Sequence, residues 1–269
     1  MGAETVKKSG VNVLEETGHG LGEVHNSSVP LEISLGIALT LAGLLVWPLL
    51  FVGLALVVHS IYRWVTEDAA MWKDRPNPNP DEWGHASWAM VWIILTEAII
   101  FASFFAFWFW ARWHTVNWEN AVGGSWPADG IEHNMVLVTV NTLILLTSGF
   151  TGHKALHALR EDNAAKSKLL IRVTALLGLT FLGIQIYEYL HAGFLWSDHA
   201  YGTAFFALTG LHGLHVLVGI ISFVIVCQLV SRGYYTKDRN DSFQAVTWYW
   251  HFVDVVWILL YLIVYVEVI

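Results

Sequence analysis

Long apolar runs alternate with short polar ones along this chain. Five runs, Ala86–Arg112, Asn134–Leu159, Lys168–His191, Tyr201–Ser231 and Phe243–Glu267, are each long enough to cross about 30 Å of hydrocarbon, which takes roughly 20 helical residues. An earlier apolar block, Ile33–Tyr62 with Pro48 in its middle, is too long for one upright helix and short for two. A mid-helix proline removes a hydrogen bond and frees the backbone to turn. The block therefore predicts a tight hairpin, with a short span on each side of Trp47 and Pro48. The expected fold is all-α: a polytopic membrane protein of seven transmembrane helices, arranged as a two-helix hairpin and a five-helix bundle. The expected divisions are a flexible cytoplasmic tail (1–29), the hairpin (30–67), a cytoplasmic loop (68–85) and the bundle (86–269). The proline-rich DRPNPNPDEW, Asp74–Trp83, separates the two membrane parts.

Composition supports a membrane chain. Of 269 residues 55% are hydrophobic and 13% charged, against roughly 25% charged in soluble domains. The net charge of −8 comes mostly from extramembrane segments, and no basic patch points to nucleic acid. Cys227 is the only cysteine, which excludes internal disulfides, thiolate zinc sites and iron–sulfur clusters built by this chain alone. Lys and Arg favour the cytoplasmic side. Seven spans with the N-terminus inside put every Lys and Arg there except Arg112, and the carboxyl end outside. Between the third and fourth spans, Trp113, Trp118 and Trp126 suit an interfacial belt.

Ionisable groups inside spans are costly unless paired or neutralised, so they mark candidate chemistry. Three acids qualify: Glu97 in TEAIIFASFFAFWFW, Glu188 in QIYEYLHAG and Asp254 in WYWHFVDVVWILLYLIVY. Helical spacing puts Trp250, Asp254, Trp257 and Tyr261 on one face, with His251 three residues before the acid. Two readings stay open for this pair, a polar contact that locks helices together and a proton or ligand role. The same two stand for Glu97, which has no basic neighbour in its own span. Glu188 lies near the end of its helix beside His191 and reads as structural.

The histidine spacings raise a metal hypothesis. His212 and His215 are three apart, His153 and His157 four apart, and Glu188 with His191 forms one Glu-x-x-His. A di-iron bundle needs two such motifs and two further glutamates. A bis-histidine haem needs its ligands on facing helices, which His212 and His215 on one helix do not supply. The simpler expectation is that Gly210, Gly213 and Gly219 allow close helix approach, with histidines donating hydrogen bonds across the contact.

The run YGTAFFALTGLHGLHVLVG, followed by AVTWYWHFVDVVWILLYLIVY, resembles the last two helices of subunit III of the haem-copper terminal oxidases, the cytochrome c oxidase type. The likeness extends through Tyr62, Arg63 and Trp64, Thr96 and Glu97, the loop around GHKAL, and IYEYLHAGF, covering most of the chain from about Val29. The resemblance implies a seven-helix subunit whose first two helices are split from the other five by a V-shaped, lipid-filled cleft. It implies a chain without catalytic residues, metal or cofactor of its own, in a complex that reduces O2 to water and pumps protons. Haem and copper would sit in subunits I and II, and this chain would dock directly on subunit I, steadying it and sustaining proton uptake. Tyr62, Arg63 and Trp64 correspond to lipid-headgroup contacts for bound phospholipid. Glu97, Glu188, His212, His215, His251 and Asp254 correspond to buried polar positions. Departures are a short hairpin, His153 followed by Lys154 where a His pair is common, and the ending Val266–Ile269. They suggest a bacterial or archaeal cell membrane. The rival readings are a proton-coupled transporter using Glu97 and Asp254 as a relay, and a stand-alone membrane haem protein.

Overall fold

A computed structural model of the chain describes residues 27–71, 84–117, 126, 127, 131 and 133–266. The proline-rich loop, the tail before residue 27, Trp118 and Glu267–Ile269 lie outside the described residues. The described part is helical: α1 (Val29–Ala42), α2 (Trp47–Met71), α3 (His85–Asn117), α4 (Met135–Arg160), α5 (Ala164–Leu190), α6 (Ala200–Ser231) and α7 (Asp241–Leu260), which continues into a π-helical turn, Tyr261–Val266. Six of these are long and apolar enough to cross a membrane, while α1 is shorter. Packing gathers the chain into two compact units, Met1–Asp68 and Ala69–Ile269.

The first unit holds α1 and most of α2 as an antiparallel hairpin. Its turn lies at Gly43–Val46, four residues before the expected place, and α2 begins at Trp47 and runs for 25 residues. The proline is the reason. In the first turn of a helix the missing N–H costs nothing and the fixed φ is already helical, so Pro48 starts a helix instead of breaking one. A Cβ on Gly43 would fall on the backbone of Leu50, and one on Gly53 on the backbone of Thr40. Glycine there lets the two helices meet at backbone distance. At the open end Arg63 clamps the pair, with Nη1 at 2.5 Å from Glu32 Oε1 and Nη2 at 2.8 Å from Glu67 Oε1. Ser27 adds a 2.8 Å bond to Glu67 Oε2.

The second unit is a five-helix bundle with α6 and α7 at its centre. α3 packs on α6 and α7, α4 on α5 and α7, and α5 on α6. Half of the α7 membrane window is buried, against 6% of that of α3, so α7 is core and α3 presents most of its surface outward. The buried residues run along every helix, from Phe101 and Trp108 through Leu145, Phe181 and Phe223 to Trp250, Trp257 and Tyr265. Asn134 and Asn163 cap α4 and α5 by accepting from Leu137 N and Lys166 N, which satisfies otherwise orphaned donors.

The first turn of α3 is capped from across the chain. Asp241 accepts from Gly84 N at 3.1 Å, Ala86 N at 2.9 Å and Ser87 N at 3.3 Å, and from the buried Ser87 hydroxyl. A carboxylate at a helix N-terminus meets both the free N–H groups and the positive end of the dipole. Beside it, Arg160 at the end of α4 donates to Asn240 Oδ1 and Gln244 Oε1, so three helices are pinned at one end of the bundle.

Candidate functional site

The aromatic face of α7 lies against the small polar residues of α4. Trp250 Nε1 donates to Ser148 Oγ at 3.0 Å, Trp257 Nε1 to Thr142 Oγ1 at 2.9 Å, and Tyr261 pairs with Thr139 at 2.8 Å. Asp254 enters the same seam where Gly149 leaves room, since a Cβ there would fall on its Oδ2. His251 Nδ1 stands 3.4 Å from that oxygen, its side chain half exposed, with the ring of His153 6.0 Å away. The shared face read from the sequence is therefore real, and its partner is a complementary stripe on α4.

Glu97 does have a basic partner, supplied by another helix. His215 on α6 places Nε2 at 3.0 Å from Glu97 Oε2 on α3, while its Nδ1 lies 2.8 Å from Leu211 O. A carbonyl only accepts, so Nδ1 carries a proton. The Glu97 contact then takes one further proton, resting either on the carboxyl or on Nε2. Phe101 packs on the imidazole with ring centres 4.8 Å apart. His212, one turn earlier on α6 and fully buried, binds Val253 O through Nε2 at 3.2 Å, with the rings of Trp257 and Phe181 around it.

Of the three glycines, only Gly219 makes the expected close approach: a Cβ there would fall on the Trp250 indole. Gly213 has only ordinary contact room and Gly210 open space. The histidine contacts across helices do form, at His212 and His215.

Glu188 is buried deeper than a helix end suggests, and His191 is not its partner, because His191 Nδ1 turns to Tyr187 O at 2.8 Å. The carboxylate instead meets His133, whose Nδ1 lies 3.4 Å from Oε1. Its Oε2 accepts from Gln185 Nε2 at 2.9 Å and from Tyr265 at 3.0 Å. His133 Nε2 pairs with the Tyr201 hydroxyl at 2.7 Å. Trp126, expected at the interface, packs instead on Trp108 and Tyr201, while Trp113 is exposed. His133, Gln185, Tyr201, Tyr265 and Asp241 were invisible to pattern reading. His133 lies in a polar connecting segment where histidine raises no flag, and the tyrosines read as interfacial aromatics.

In the first unit Trp64 is exposed, and the Arg63 guanidinium faces two carboxylates. Among the described residues, no group of three or more His, Cys, Asp or Glu side chains is arranged to hold a metal ion.

Fold and site together define a polytopic helical membrane protein whose polar interior consists of carboxylate–histidine pairs and indole–hydroxyl bonds. Comparison with known proteins gives the family. The family model described as cytochrome c oxidase subunit III matches residues 22–268. Cytochrome c oxidase subunit 3 of Drosophila melanogaster is 34% identical over 264 residues, covering 92% of this chain and 96% of that protein. Those of Osphranter robustus and Ornithorhynchus anatinus are also 34% identical over 264 residues, covering 92% of this chain and 97% of theirs. The chain belongs to the cytochrome c oxidase subunit III family, and is a multi-pass membrane component of an oxidase complex.

Proposed function

We propose that this chain is a redox-inactive core subunit of a haem-copper terminal oxidase, with no active site of its own. Haem and copper belong to partner subunits I and II, and this chain docks directly on subunit I, steadying it and supporting proton uptake. The observation that carries this reading is how the intramembrane histidines are spent. His215 commits both ring nitrogens to Leu211 and Glu97, and His212 binds Val253 O through Nε2 while its Nδ1 is enclosed in the bundle beside the Trp257 and Phe181 rings, without a hydrogen-bond partner. Such internal pairing suits side chains that fix helix packing, whereas an axial haem ligand needs a ring nitrogen facing the cofactor. Glu97 with His215 is the pair best suited to hold an exchangeable proton, and Glu188, His251 and Asp254 complete the polar network.

Tyr62, Arg63 and Trp64 we assign to phospholipid contact, on the exposure of Trp64 and the position of all three toward the end of α2. The hairpin at 30–67 and the bundle at 86–269 are then the two membrane parts. In a bacterial or archaeal cell membrane, the distribution of Lys and Arg supports an orientation with the N-terminus in the cytoplasm and the carboxyl end outside.

Purification of the tagged chain from its native membrane in mild detergent tests the reading, with reduced-minus-oxidised spectra recorded before and after stripping the partners. Haem absorption that arrives with a large co-purifying subunit and leaves with it is expected. Absorption retained by this chain alone would make it a haem protein, and a colourless, partnerless chain would favour proton-coupled transport.

A further inference from the structure

The five helices of the second unit meet around one polar cluster, of which the oxidase reading takes up only Glu188. α3 supplies Trp108, the leading edge of α4 His133, α5 Gln185 and Glu188, α6 Tyr201, and the π-helical turn Tyr265. Within it Gln185 Oε1 and Glu188 Oε1 are enclosed without a hydrogen-bond donor, and Gln185 is 3% exposed. The orientation of Gln185 is fixed by chemistry. Its Nε2 donates to Glu188 Oε2 at 2.9 Å, and turning the amide over would set an oxygen against that carboxylate. Oε1 is therefore an acceptor in need of a donor, one helical turn from a second such acceptor. Glu188 Oε2 already takes two donors, and the His133 ring nitrogen Nδ1 lies 3.4 Å from Oε1 without a hydrogen bond to it. On the other side of Tyr201 the indole N–H groups of Trp108 and Trp126 are enclosed without an acceptor.

We propose that Gln185 and Glu188 form a buried water-binding site, in which one ordered water donates to Gln185 Oε1 and to Glu188 Oε1. Water is the ligand class that fits both sides of the cluster, since it donates twice to the acceptors near Glu188 and accepts from indoles near Tyr201. A metal cation is the poorer occupant. Alkali and alkaline-earth ions want six or more oxygens, and here a histidine ring already faces the one open carboxylate oxygen. The site would fix Glu188 in its place and so tie α5 to the segment before α4 and to the end of α7.

The test is a cryo-electron-microscopy map of the intact oxidase complex containing this subunit, at a resolution that shows ordered water, beside a map of the Gln185→Leu complex. A peak at about 2.7–3.2 Å from both oxygens, gone in Gln185→Leu while the helices superpose, is the expected result. If the variant complex does not assemble, the native map decides alone. No peak, with apolar side chains closed over both oxygens, would overturn the proposal. So would a peak that strengthens when sodium in the buffer is replaced by rubidium, which marks a cation.

Discussion

Replacing Asp241 by Ala removes an acceptor that sits at the start of α7 yet serves the first turn of α3, more than 150 residues away in sequence. Two losses add. A helix N-terminus stripped of its capping carboxylate gives up about 0.5–2 kcal/mol, and the Ser87 hydroxyl, wholly buried, is stranded at a cost of about 1–3 kcal/mol. Allowing for partial relaxation, a destabilisation of about 2–4 kcal/mol is expected. Asp241→Asn should recover roughly half, because an amide oxygen accepts while its NH2 cannot. Ser87→Ala should cost less than Asp241→Ala, since the three backbone bonds survive. The assay is detergent-titrated unfolding of the assembled complex, paired with amide hydrogen exchange at Ala86 and Ser87, which should speed up in Asp241→Ala and stay near native in Ser87→Ala. A loss below about 0.5 kcal/mol, the range of unremarkable surface substitutions, or unchanged exchange at those two amides, would refute the capping argument.

Gly219→Ala should cost about 1–3 kcal/mol in thermal unfolding, because its methyl meets the Trp250 indole and a packed core resists the insertion, whereas Gly210→Ala in open space should be neutral. Glu97→Leu and His215→Leu should each destabilise more than the double replacement, since a single change strands a polar partner while the double removes both; a double-mutant cycle on unfolding midpoints reads this, and additive losses would count against a coupled pair. Asp254→Leu sets a larger branched side chain against Gly149 and removes the partner of His251, so the yield and stability of the assembled complex should fall; a normally assembled, equally stable complex would show that the seam tolerates an apolar residue.

Much of the fold is legible in the pattern. Apolar runs in lipid must close their backbone hydrogen bonds locally, so a run of sufficient length becomes a helix, and the bundle spans predicted from Ala86 onward begin and end within a few residues of α3 to α7. The hairpin turn was misplaced because Pro48 was weighed as a breaker when its neighbours made it a first-turn residue. The site was half legible. Asp254, Glu97 and His215 stood out as ionisable groups in apolar helices, but nothing in the chain says that Glu97 on α3 faces His215 on α6, or that Glu188 prefers His133 to the nearer His191.

What the sequence by itself determined is what local physics enforces: which segments are helices, which residues are too polar for lipid to be there by chance, and which family shares those motifs. What only the tertiary structure decided is partnership. The relative rotation of packed helices selects which side chains meet, and rotation depends on shape fit along whole interfaces, such as Trp250, Asp254 and Trp257 against Ser148, Gly149 and Thr142. Each such contact joins residues about a hundred positions apart in sequence, beyond the reach of any local period.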